Sequence, residues 1–238
     1  MPMIRDLADR ISALRFLAAL GPLLAAFALN GAAAPLVLRL GADRLVLDTP
    51  AGFSDSLELS SPRLQELAES QTSASNRILL FAISDADLRR FMNGDRPELR
   101  RFMIAVIPAR LEHERLSAGE FGALAGELLR ELGSPPASTE YLKHIDAQPR
   151  GRPRLLAELR KDPLVLSVLL GARLPPQDDA ERDKPPQYLF STTTLLLVRG
   201  KALTLSVVTG HDGPADVDWI RSVTLRWVDE LLRLNRNP

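Results

Sequence analysis

The sequence predicts a single α+β domain, an antiparallel sheet covered by helices, that follows an N-terminal signal segment. Apolar runs of strand length alternate with helical patterns, and several neighbouring runs are joined by turns too short for a parallel crossover. The first 33 residues have the order of an export signal. We therefore place the signal segment at residues 1–33 and the domain at residues 34–238. A chain of this length can form a single hydrophobic core.

The first half of the domain contains short apolar runs separated by turn and cap signals. A serine followed by proline at the start of an apolar periodicity is typical of a helix N-terminus, because proline needs no donor there. The predicted elements are, in order, strands at 45–47 and 57–59, a helix from Ser61, a strand at 78–83, a short helix capped by Ser84 or Asp85, and a strand at 102–107.

The second half has one clear helix, one uncertain region and one clear hairpin. Ser117 and Glu120 form a capping box, in which each side chain accepts a hydrogen bond from the unpaired backbone N–H of the other residue. Residues 134–162 contain four prolines and only two weak helical patterns. The later predicted elements are a strand at 164–174, an exposed loop at 175–187, a hairpin with strands at 188–198 and 202–209 around a Gly200-Lys201 turn, and an amphipathic helix beginning at Gly213-Pro214.

The N-terminal segment predicts export. Three arginines precede an uncharged apolar stretch, Phe16–Leu29, and small residues follow it, which is the order of a cleaved secretory signal. We expect cleavage after Ala33 and a periplasmic or secreted protein. An inner-membrane anchor facing the periplasm is the alternative, because uncharged sequence continues to Leu38 and is long enough to span a bilayer. A soluble N-terminal helix is the third possibility, and membrane contact is expected only if the segment is retained.

Composition excludes several classes of function. Thirty basic and 30 acidic residues balance, so no net field favours nucleic acid, and we predict no nucleic-acid partner. The absence of cysteine excludes disulfides, thiolate metal sites and a cysteine nucleophile. No G-x-G-x-x-G, G-x-x-x-x-G-K-[ST] or G-x-S-x-G motif occurs, so no cofactor is predicted. The basic run at 150–161 lacks aromatic residues and is interpreted as a solvated face, with contact to an anionic lipid or a partner as the alternative.

The candidate site is the sequence Gly-His-Asp-Gly around His211, followed by Asp216 and Asp218. Imidazole and carboxylate are metal ligands and also the groups of a hydrolase. Asp212 has a simpler role, because acidic residues stabilise a helix N-terminus. On a helix Asp216 and Asp218 point about 200° apart, so they cannot share one ion with His211, and we predict no tightly bound metal.

Other reactive side chains have structural interpretations. His113 lies in a charged connector and is predicted to be a solvated surface residue. His144 lies in the uncertain region, where no motif surrounds it. Ser191–Thr194 have the composition of a strand, and the nucleophile motif of a serine hydrolase is absent. No catalytic residue is therefore predicted, and the candidates for such a role are His211, Asp212 and Asp216.

Several segments carry a resemblance to known proteins. The strand that runs into Asp48–Phe53, the late hairpin at 194–203 and the long helix ending near Asn235 resemble uncharacterised exported proteins of proteobacteria. The order of elements over 44–235 is similar to the PsbP/Mog1-like α/β sandwich. PsbP proteins assist photosystem II and Mog1 binds a small GTPase, so the resemblance implies an accessory role without catalysis. No binding residue of either family corresponds to a position in this sequence.

The expected function is an exported accessory or binding protein of the bacterial envelope, without catalytic activity, whose partner is a protein or a small ligand. The alternatives are a periplasmic hydrolase that uses His211 and nearby acids, and a membrane-anchored accessory subunit. An enzyme should show a cleft where histidine and carboxylates converge. A binding protein should instead show an exposed apolar patch or groove.

Overall fold

The computed structural model describes residues 35–176 and 185–236. The elements in these ranges are β1 (Leu36–Leu40), β2 (Asp43–Leu47), β3 (Phe53–Asp55), α1 (Pro62–Glu69), β4 (Asn76–Ser84), α2 (Asp85–Met92), β5 (Arg101–Pro108), α3 (Ala118–Leu132), α4 (Tyr141–Asp146), β6 (Arg154–Asp162), β7 (Val165–Arg173), β8 (Tyr188–Val198), β9 (Lys201–Gly210) and α5 (Pro214–Leu234). In this part of the chain no helix has the length and apolarity to cross a membrane. The predicted signal segment and part of the predicted loop at 175–187 lie outside the described residues.

Seven strands form one antiparallel sheet in the order β3-β4-β5-β9-β8-β7-β6, and β1 and β2 form a separate hairpin. Every neighbouring pair in the large sheet is antiparallel, which confirms the predicted α+β class. The predicted β8–β9 hairpin is also confirmed. Its two turn residues, Arg199 and Gly200, both have positive φ, 51° and 79°, which matches the twist of the flanking strands.

Helices cover both faces of the large sheet, because alternate residues of its strands point to opposite sides. On β5, Met103 and Ala105 pack into the main core with α4, α5 and the β1–β2 hairpin. Phe102 and Ile104 point the other way and pack against α1 and α2. Further along that second face, α3 covers the strands β6 and β7. This burial on both sides explains why strands β4, β5 and β7 are apolar along most of their length.

The C-terminal helix α5 is fastened to the small hairpin by side-chain hydrogen bonds. Trp227 Nε1 donates to the carbonyl of Asp48 at 2.7 Å. The Asn235 amide accepts from the Val46 N–H at 2.8 Å and donates to the Val46 carbonyl at 2.7 Å, so it pairs with β2 as a neighbouring strand would. Residues of α5 and of the hairpin thus share one core cluster with the sheet.

One predicted strand is wrong, and the structure assigns elements to the uncertain region. The predicted strand at 57–59 is a 3-10 turn over Ser56–Leu59, because Asp55 accepts the Leu57 N–H at 3.1 Å and diverts the backbone from strand pairing. The uncertain region 134–162 contains the helix α4 and the edge strand β6 in addition to its loops. Irregularities in the β6–β7 register between Leu155 and Ala157 and again between Glu158 and Arg160 break the alternation by which β6 would be recognised.

Lys201 was predicted to lie in the hairpin turn, but it is the first residue of β9 and is completely buried. Its ammonium donates to the carbonyls of Glu112 and Glu114 at 2.9 and 2.6 Å and lies 3.7 Å from the Asp43 carboxylate. Asp43 also accepts from Arg115 at 2.7 Å. The buried charge is therefore fully partnered, and it joins the turn of the β1–β2 hairpin to the connector between β5 and α3.

Candidate functional site

His211 lies in the loop between β9 and α5, where its backbone N–H donates to the Tyr188 carbonyl at 3.1 Å. Its ring packs against Phe190 with centroids 4.8 Å apart, and edge-on against Tyr188 at 6.5 Å. Ring nitrogen Nδ1 is buried and has no hydrogen-bond partner within the described ranges. The general base of a hydrolase is oriented by a carboxylate. No described carboxylate orients the His211 imidazole in this way.

Asp216 stabilises the start of α5. Its carboxylate accepts the N–H groups of Asp212 and Gly213 at 2.9 and 3.2 Å, and its side chain is 8% exposed. Arg101 donates to its other oxygen at 2.8 Å, and Arg100 lies 3.5 Å away. Burial acts to raise the pKa of Asp216, but the hydrogen bonds and the guanidinium groups outweigh it and hold this pKa below its usual value.

Asp212 is exposed and forms an ion pair with Arg100, so the helix-start role expected of Asp212 belongs to Asp216 instead. Arg101 is fixed by a second contact, its guanidinium lying 4.1 Å from the centre of the Trp219 ring. Both acids therefore face arginines, and neither is hydrogen-bonded to His211 in the described part of the chain. Over the same residues no group of three or more metal-ligating side chains is present.

Asp218 differs from Asp216 in its environment, since Asp218 is exposed and Asp216 is buried. The two carboxylates lie on different sides of α5, as their spacing of two residues predicts. Asp218 instead lines a cavity that His211 also lines. The predicted set of His211, Asp212 and Asp216 is thus divided between two surfaces, an ion-pair cluster with Arg100 and Arg101 and a cavity.

The cavity has a volume of about 540 Å³ and lies between α4 and the N-terminal half of α5; we call it the α4/α5 cavity. Its wall is mainly aromatic and aliphatic, and its charged side chains belong to exposed residues of the two helices. Tyr141 and Phe190 have ring centroids 6.4 Å apart at an angle of 60°. The residues that line it are Thr139, Glu140, Tyr141, Leu142, Lys143, Phe190, His211, Pro214, Val217, Asp218 and Arg221.

Helix α4 is the short wall of this cavity, and contacts with β7 and β8 hold it in place. Ile145 is buried against Gly171, where an added Cβ would come within 2.5 Å of the Ile145 Cδ1 atom. The Tyr188 hydroxyl donates to Asp146 at 2.9 Å, and Arg173 lies 3.6 Å from the same carboxylate. Burial and the contact with Asp146 raise the pKa of Tyr188.

The charged side chains at the cavity comprise two acids and two bases. Glu140 and Lys143 lie 3.6 Å apart, and their side chains are 69% and 77% exposed. Asp218 and Arg221 lie one helical turn apart on α5, and both are exposed. The described residues give Asp218 and Arg221 no ion pair, with each other or with a third residue. The cavity therefore presents both signs of charge beside an apolar wall.

A second, smaller cavity of about 220 Å³ lies on the other face of the sheet, against α3. Phe121, Leu128 and Leu195 contribute to its wall. The other two histidines are elsewhere: His113 is exposed as expected, and His144 is half-buried with a buried, unpaired Nε2 within the described part.

Sequence comparison adds no relative from which a role can be transferred: no protein-family model matches the chain, and no curated protein is significantly similar to it. The site is therefore interpreted from its own residues. Tyr141, Phe190 and Val217 were not among the candidate residues of the sequence. Tyr141 lies in the uncertain region, and Phe190 and Val217 sit in ordinary strand and helix patterns. Only the fold brings them together beside His211.

Proposed function

We propose that this protein is a non-catalytic binding protein of the bacterial envelope and that the α4/α5 cavity is its ligand site. The observation that carries the proposal is the cavity itself, whose volume of about 540 Å³ falls in the range of small-ligand sites, roughly 300–1,000 Å³. Such sites are mostly apolar with a few polar groups that fix orientation. Tyr141 and Leu142 supply exposed apolar surface, with Phe190 completely buried behind it. Asp218 and Arg221 supply polar groups.

The surroundings of His211 favour binding over hydrolysis. A hydrolase needs a nucleophile within hydrogen-bond reach of its base and a third group that orients the base. Among the described residues, no serine or threonine hydroxyl and no carboxylate is hydrogen-bonded to the His211 ring. The nearest acids in sequence, Asp212 and Asp216, are paired with arginines instead. The histidine is better suited to forming part of a wall, packed on Phe190.

Placement in the periplasm is part of the same proposal and rests on the first 33 residues. Their basic start, apolar stretch and small-residue end support export and cleavage after Ala33. Retention of the segment would give a membrane-anchored accessory subunit with the same cavity.

The test is whether a ligand accompanies the protein from its own cells and leaves when the cavity is filled. We expect native mass spectrometry of the protein isolated from its own periplasm to show a bound small molecule. Leu142→Trp should remove that mass, because Leu142 lines the cavity and a larger side chain there takes up cavity volume; Leu142 is 37% exposed. Leu164→Trp is the matched control: Leu164 is 42% exposed and lies in the β6–β7 turn, at the far end of β7 from Gly171.

Two results would contradict the proposal. One is a bound mass that survives Leu142→Trp in a protein whose thermal melt is unchanged. The other is hydrolysis of a periplasmic ester or amide that His211→Ala abolishes, which would favour the hydrolase.

A further inference from the structure

We infer that the α4/α5 cavity binds a free amino acid with an aromatic or branched apolar side chain. The inference rests on the proposed function and adds the chemical class of the ligand. Three features lead to it: the apolar wall, the balanced charges around the cavity, and the position of one oppositely charged pair on α5.

The wall fits a planar or branched apolar group. Phe190 contacts both other rings of the cavity, with centroids 6.4 Å from Tyr141 and 4.8 Å from His211, each at a tilted angle. Tilted arrangements of this kind are the ones that aromatic rings favour. Phe190 is itself completely buried, so it supports the half-buried rings of Tyr141 and His211, which are the rings that a ligand could contact. Val217 adds an aliphatic side chain that is 9% exposed, from the first turns of α5.

The charges fit a ligand that carries both signs. Asp218 and Arg221 are three residues apart on a helix, which places their Cβ atoms about 5–6 Å from each other on one face. An amino acid carries its ammonium and its carboxylate on a single carbon atom, so one molecule can meet both side chains at once. A ligand with a single charge would instead be attracted by one member of this pair and repelled by the other.

Asp218 and Arg221 differ from the acids further along α5, because those acids have ion-pair partners. Asp229 accepts from Arg160 at 2.7 Å, and Glu230 forms an ion pair with Arg233. In the described residues Asp218 and Arg221 lack such partners, so their charges are available to a ligand. We assign the ligand ammonium to Asp218 and the ligand carboxylate to Arg221.

Three probes that share a phenyl group test the contribution of each ligand charge. L-Phenylalanine carries both the ammonium and the carboxylate, phenethylamine carries only the ammonium, and 3-phenylpropanoate carries only the carboxylate. Contacts between exposed charges are worth up to about fivefold in affinity. We therefore expect isothermal titration of the isolated protein to show phenylalanine binding about fivefold more tightly than either single-charge probe. Chemical shifts of backbone amides at 139–143 and 211–221 report whether each probe occupies the cavity.

Two variants give a crossed prediction. Arg221→Gln should weaken phenylalanine and 3-phenylpropanoate about fivefold, and it should tighten phenethylamine because the repulsion by Arg221 is lost. Asp218→Asn should weaken phenylalanine and phenethylamine, and it should tighten 3-phenylpropanoate because the repulsion by Asp218 is lost. Arg226→Gln and Asp229→Asn, at exposed positions further along α5, are the controls and should change none of the three affinities.

The inference is overturned if a single-charge probe binds in the cavity as tightly as phenylalanine, or if the crossed pattern is absent. In that case the cavity remains a ligand site of another chemistry and the proposed function stands. If no probe shifts the amides of the cavity, the inference also fails. The proposed function is then decided separately, by the mass bound to the native protein and its loss in Leu142→Trp.

Discussion

Replacing Lys201 by methionine should destabilise the protein strongly although the methionine side chain is similar in shape. Lys201 is completely buried, and its ammonium donates to two backbone carbonyls, those of Glu112 and Glu114. Methionine keeps an unbranched apolar chain in the same space, so packing is largely preserved. The measured loss would therefore report the hydrogen bonds of the ammonium and its pairing with Asp43.

The magnitude follows from the groups left without a partner. Each buried acceptor that loses its donor costs about 1–3 kcal/mol, which gives about 2–6 kcal/mol for two carbonyls. Water can donate hydrogen bonds to these carbonyls and so lower the cost, because Glu112 is half-buried and Glu114 is exposed. We expect a decrease of about 2–4 kcal/mol in the free energy of unfolding, a large share of the about 5–15 kcal/mol of a typical domain.

Urea denaturation followed by tryptophan fluorescence measures this free energy, with Trp219 and Trp227 of α5 as reporters. Lys161→Met is the control, because Lys161 is exposed on the edge strand β6 and its loss should cost less than about 0.5 kcal/mol. If Lys201→Met unfolds at the urea concentration of the wild type, the ammonium does not hold the connector, and the reasoning is refuted.

Three further predictions concern α4, the start of α5 and the N-terminus. Gly171→Ala should cost about 1–3 kcal/mol in urea denaturation, because its Cβ would crowd Ile145, whereas Gly122→Ala, with open space around it, should not destabilise. Asp216 has a lowered folded pKa, so the stability it contributes is present above its unfolded pKa and is lost as pH falls through the folded pKa. Melts from pH 6 to pH 2 should therefore show a smaller acid loss in Asp216→Asn, and an identical slope would contradict this. Protein released by osmotic shock should begin at Ala34 or Pro35, and an intact Met1 found only in membranes would indicate an anchor.

The elements predicted correctly are those whose signals are local. The capping box of Ser117 and Glu120 is present, with the Ser117 N–H donating to the Glu120 carboxylate at 2.8 Å. The β8–β9 hairpin is likewise specified by two strand-forming runs around a two-residue turn. Both elements depend on residues that are close in sequence, so their signals can be recognised from the sequence without knowing the fold.

The elements missed depend on partners distant in sequence. Strand β6 is stabilised by pairing with β7 through an irregular register, and its own alternation does not reveal it. Asp216 was considered as a metal ligand because its arginine partner, Arg101, lies 115 residues earlier in the chain. The cavity is likewise assembled from β8, α4 and α5, so its aromatic residues could not be recognised as a group.

The proposed function and the inferred ligand class both require that the ligand binds in the α4/α5 cavity. A small-molecule extract of the organism's own periplasm, titrated into the isotopically labelled protein, tests this through the amide spectrum. We expect chemical-shift changes that are confined to residues 139–143 and 211–221 and are absent in Leu142→Trp. Changes centred on the second cavity, around Leu128, or changes that persist in Leu142→Trp would contradict it.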